Sequence, residues 1–94
     1  MYKTPTTIKS IEILGVTVRI EIDQYRLEVE DEADGMYTNK VIYLKKQYDD
    51  KKHYDRVLFH EAIHALCSIQ GYQLDDRFEE SLANTISYLG VKLL

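Results

Sequence analysis

From residue 51 to Gln70 the chain runs without a proline or a glycine, and apolar side chains recur there at helical spacing. Leu58, Ala62, Leu66 and Ile69, joined by Phe59 and Ile63, form the stripe expected to face a core. Asp49 and Asp50 stand ahead of the run as N-caps, and Gly71 follows it as a C-terminal stop. One long amphipathic helix is therefore the element around which the rest must be arranged.

What precedes it reads as strands. In residues 8–23, Ile11 and Ile13 alternate with polar residues, as do Val16, Val18, Ile20 and Ile22 beyond Gly15. Alternation on both sides of a glycine predicts a β-hairpin, with Thr17, Arg19, Glu21 and Asp23 on its outer face. Leu27 and Val29 suggest a short strand, and the acidic stretch before Gly35 reads as a solvated loop closed by the Asp34-Gly35 turn signal. Residues 36–45 are rich in β-branched and aromatic side chains and read as one further strand, whose terminal lysines mark an exposed edge. Past Gly71, Asp76 and Glu79 make a capping box for a second helix, with Phe78, Leu82, Ile86, Leu89 and Leu93 along one side. The expected fold is α+β: a small N-terminal antiparallel or mixed sheet packed on two C-terminal helices, one domain over residues 1–94.

Charge and composition exclude several functions. A net charge of −4, with no basic cluster larger than Lys45-Lys46 or Lys51-Lys52, argues against nucleic acid as a partner. No run has the length of a membrane span, and the N-terminus carries no apolar leader pattern. The single cysteine, Cys67, allows no internal disulfide, and a reducing cytoplasm is the expected setting.

Residues 60–64 read His-Glu-Ala-Ile-His. On a helix, His60 and His64 lie one turn apart on one face, where both imidazoles reach a single ion. Glu61 lies about 100° round the helix from His60, beside the ion rather than on it, where it can take a proton from a bound water. With three histidines and eight glutamates in the chain, the motif arises by chance about once in a hundred such sequences. Zinc is the expected cofactor, and a third ligand must come from elsewhere. Cys67 shares the face, but it is about 10 Å along the axis from His60, too far for a bond near 2.3 Å. It reads instead as a small buried residue. In the second helix both Glu79 and Glu80 are available. Glu79 already closes the capping box, and the helical angle alone does not separate the two. Asn84, one turn past Glu80, is placed to orient a ligating histidine.

The pair of segments FHEAIHAL and FEESLANTISYL resembles small phage and mobile-element metallopeptidases of the zincin superfamily, similar to minigluzincins and to the ImmA/IrrE-like and SprT-like groups. The resemblance covers residues 56–94 well, and the strands only in their order and spacing. It implies His60 and His64 as zinc ligands and Glu61 as general base. The third ligand it implies is Glu80, which stands before Leu82-Ala83-Asn84. It also implies that residues 41–44 are the edge strand that pairs with extended substrate. The His64-to-Glu80 gap is short, as in the minimal members. No separate downstream histidine is present for the oxyanion, and Tyr72 is the first candidate for that part, with Tyr54 and Tyr88 behind it. His53, two turns before His60, reads as a solvated helix-start histidine. The expected activity is zinc-dependent hydrolysis of a peptide or protein substrate. The alternative is an inactive or latent zinc-stabilised domain that binds a protein partner.

Overall fold

The computed structural model describes residues 1–30 and 32–71. In chain order these form β1 (Tyr2–Lys3), β2 (Ser10–Ile13), β3 (Val16–Ile22), a π-helical turn (Arg26–Glu30), β4 (Gly35–Thr38), β5 (Val41–Leu44), β6 (Gln47–Tyr48) and α1 (Lys51–Gln70). The described part is a small α+β fold in which one helix packs on a mixed sheet. The second helix, expected from residue 76 onward, lies outside the described residues.

The expected hairpin forms. Ile13 pairs with Val16 across a two-residue turn in which Leu14 and Gly15 have φ of 50° and 79°. That left-handed pair is the turn whose twist suits adjoining antiparallel strands. Val18 and Ile20 are buried, while Thr17, Arg19 and Glu21 are exposed, so the alternation decides which face of the sheet is covered.

The segment read as one strand over residues 36–45 is two strands. Asn39 and Lys40 have φ of 49° and 63°, and they turn the chain between Thr38 and Val41, which pair directly. Asparagine tolerates this conformation, which makes the turn affordable without a glycine. β5 then runs parallel to β3, with Ile20 against Ile42 and Ile22 against Leu44. The order in the four-stranded sheet is β2-β3-β5-β4. β5 is therefore interior, not the exposed edge that its lysines suggest, and the edge strands are β2 and β4.

The short strand expected around Leu27 and Val29 is instead the π-helical turn. The Asp23 carboxylate accepts from the backbone N–H of Arg26 at 3.1 Å, and the Gln24 side chain donates to Glu28 and accepts from the Lys46 N–H at 2.8 Å. These local bonds offer the backbone an alternative to a strand ladder. Leu27 and Val29 consequently point apart, the first fully buried and the second 57% exposed.

α1 has the expected ends. Asp50 accepts from the His53 N–H, and Gly71 closes the helix with φ of 72°. Its buried stripe, however, is Tyr54, Val57, Glu61 and Ala65, not Leu58, Ala62, Leu66 and Ile69. So many positions of this helix are apolar that periodicity does not single out one face, and the expected residues are half-buried. The stripe meets Val18, Ile20, Ile42 and Leu44 of the sheet, with Tyr48 beside them. Full burial of such a side chain contributes about 1.5–3 kcal/mol. Among the described residues no helix is long and apolar enough to cross a membrane.

At Gly35, β4 packs closely against α1. A Cβ there would stand 2.7 Å from Val57 Cγ1 and 3.3 Å from Glu61 Cγ. Gly35→Ala should therefore lower stability by about 1–3 kcal/mol through overpacking. Denaturant melts of Gly35→Ala, Val57→Ala and the double mutant test this. The alanine at 35 should cost clearly less when Val57 is already truncated, and strict additivity would show that the two side chains do not compete for space.

Candidate metal centre

Among the described residues, α1 and β4 wall a cleft of about 810 Å³. The helix contributes residues from His53 to Ser68, and the strand contributes Gly35, Met36, Tyr37 and Thr38. His60, Glu61 and His64 all line it. Helical spacing alone brings these three together, and Gly35 lets the strand lie against the helix beside them.

The Nε2 atoms of His60 and His64 are 3.1 Å apart, and their rings stand edge to face at 4.8 Å. Two nitrogens bound to one zinc at a tetrahedral angle are about 3.3 Å apart, so this donor pair fits a shared ion with little movement. The same separation also suits an imidazole–imidazole hydrogen bond, one ring donating and the other accepting. Glu61 places Oε2 3.9 Å from His60 Nε2 and is only 7% exposed. Among the described residues no group of three His, Cys, Asp or Glu side chains gathers as a ligand set. Glu80 and Glu79, between which the third ligand was to be found, lie outside the described residues, as do Asn84, Tyr72 and Tyr88.

The other candidates are placed plainly. Tyr54 is 4% exposed and packs edge-on against Tyr2 and Tyr48. It belongs to the core and takes no part in lining the cleft, which removes it as an oxyanion donor. Cys67 is buried, as expected. His53 is not simply solvated. It lines the cleft, its Nε2 is 3.3 Å from Asp34 Oδ2, and its ring stands edge-on to Tyr48. A carboxylate only accepts, so Nε2 carries the proton in this bond.

Asp34 is the hub of that end of the cleft. Its Oδ1 is 3.2 Å from Lys45 Nζ, and its backbone carbonyl accepts from the Tyr48 hydroxyl at 2.6 Å. Tyr48 in turn accepts from the Lys45 N–H at 2.9 Å. Partial burial works against ionisation of Asp34, but the hydrogen bonds and charges of Lys45 and His53 outweigh it and hold the carboxyl below its usual range. Burial pushes the Tyr48 phenol well above its ordinary value, and the nearby carboxylates Asp34 and Glu61 add to that. Tyr48 is thus a neutral hydrogen-bonding strut.

Sequence reasoning missed this strut, the part of Asp34, and Arg56, which also lines the cleft. Asp34-Gly35 carries a signal that could have been used, since a glycine beside a turn also marks close backbone approach. The chain matches no known protein family, no curated protein and no solved structure, so the reading of this centre rests on its own chemistry.

Proposed function

We propose that the chain is a zinc-dependent peptidase of zincin-like design, with His60, His64 and Glu80 holding the metal and Glu61 acting as general base. The observation that supports it best is the 3.1 Å pair of imidazole nitrogens with the Glu61 carboxylate beside it, on the wall of a cleft of about 810 Å³. Zinc, when bound, supplies a Lewis acid for the scissile carbonyl and lowers the pKa of water.

The chain's own residues do the rest. Glu61 takes the proton of the attacking water on its carboxylate and returns it to the leaving amine. Its burial keeps bulk water from competing for that proton. The edge strand β4, rather than residues 41–44, is the strand that borders the cleft, and its outer side offers backbone groups to an extended substrate. Glu80, the second helix and the positioning part of Asn84 enter this reading from the sequence, as does Tyr72 as donor to the oxyanion. The setting proposed is the cytoplasm, in keeping with one cysteine in 94 residues.

The ligand assignment predicts one zinc per chain, lost in the His60→Ala, His64→Ala double mutant. Glu80→Ala should weaken zinc far more than Glu79→Ala, which should cost only cap stability, about 1 kcal/mol. Metal analysis and chelator competition on the purified variants check both statements. Full zinc in the double mutant, or the reverse order of the two glutamates, would show that the ligands are misassigned.

Glu61→Gln preserves shape and removes the proton acceptor. It should retain zinc and the melting temperature while lowering hydrolysis of a broad peptide library by about 10² to 10⁴. Equal cutting by wild type and Glu61→Gln would sink the mechanism. A zinc-loaded wild type that cuts nothing would favour the non-catalytic binding domain.

A further inference from the structure

The cleft carries more charge chemistry than the proposed reaction uses. Asp34 is held by Lys45 and His53. Lys51 is held by Asp55 at 2.8 Å, and Arg19 lies 3.4 Å from Glu21. Arg56 is different. It is exposed, it lines the cleft, and it makes no hydrogen bond or ion pair among the described residues. No other lysine or arginine among the described residues lines that cleft.

Its position is set by the helix. Arg56, His60 and His64 follow one another at intervals of four, so they share one face of α1. Arg56 stands about 9 Å along the axis from the midpoint of the histidine pair. Side chains on a helix all lean toward its N-terminus, so this offset survives at the side-chain tips. An extended peptide covers that distance in about three residues.

We infer that Arg56 is a specificity-determining residue that binds a carboxylate of the peptide substrate, two to three residues from the scissile bond. The planar guanidinium presents paired N–H donors that match the two oxygens of a carboxylate. Two further carboxylates, Asp34 and Glu61, line the same cleft. They disfavour a multiply charged anion such as a phosphate and leave a singly charged carboxylate as the better fit. The carboxylate comes either from an Asp or Glu side chain or from the C-terminus of the peptide, and the same chemistry recognises both. This inference rests on the cleft being a peptide site, as proposed above.

The test uses the full chain as Glu61→Gln, with and without added zinc, so that peptide binds without being cut. Fluorescently labelled octapeptides are compared in pairs: Asp against Asn or Glu against Gln at each position, and a free C-terminus against an amide. Anisotropy titrations at low salt should show at least one acid member binding about tenfold tighter than its amide partner. The advantage should shrink as salt rises. The pair that shows it tells a side-chain carboxylate from a terminal one. In Glu61→Gln, Arg56→Gln the advantage should vanish with the melting temperature unchanged, because Arg56 is exposed, and Arg56→Lys should restore only part of it. Equal binding of all acid and amide partners, an acid preference that survives Arg56→Gln, or no binding by any peptide overturns the inference. Cleavage assays on wild type separate the two readings. If nothing is cut yet the acid preference depends on Arg56, the peptidase fails and the carboxylate site stands. If peptides are cut without regard to acid or amide, the reverse holds.

Discussion

Where β4 crosses α1 there is room for a hydrogen atom and little else. Gly35 lies against Val57 and Glu61 so closely that even a methyl group would collide with the valine. That approach does two things at once. It brings the edge of the sheet onto the helix, which closes one side of the core, and it makes β4 the wall opposite His60, Glu61 and His64. The cleft is therefore a consequence of how sheet and helix meet, and not a hollow added to a finished fold.

The same seam explains why a carboxylate belongs to the buried stripe of α1. Tyr54, Val57 and Ala65 are ordinary core residues, and Glu61 takes the next place in their row. A buried carboxylate is costly unless it is partnered, and Glu61 does have partners. A chain selected only for stability would favour an apolar residue there. With so small a core, Glu61 is the one position where the buried row of α1 departs from the apolar pattern.

Local order was legible in the sequence and nonlocal order was not. The hairpin about Leu14-Gly15 and the helix from Asp50 to Gly71 are fixed by residues close in the chain, and alternation, caps and the absence of breakers reveal them. The pairing of β3 with β5 is parallel and joins segments about twenty residues apart, and no local pattern announces it. The fully buried Ile42 and Leu44 show that β5 is interior, but its flanking lysines point the other way, because Lys45 is turned to Asp34 rather than to solvent. The π-helical turn escaped notice because Leu27 and Val29 have strand spacing, while Asp23 and Gln24 divert the backbone. At the site, His60, Glu61 and His64 were legible because one helix carries all three. Asp34 was not, because a loop brings it to the helix, and the parts of His53 and Arg56, though they share that helix, depend on the cleft that β4 completes.

The network around Tyr48 ties those two outcomes together. Its hydroxyl accepts from the Lys45 N–H at the end of β5 and donates to the Asp34 carbonyl just ahead of β4, so it clamps the loop that leads into the cleft wall. The Asp34 side chain then reaches across to His53 in the first turn of α1. One phenol and one carboxylate thus fix strand and helix against each other at that end of the cleft. A ligand held between the same two walls adds to this clamp, since anything that binds only the folded state stabilises it.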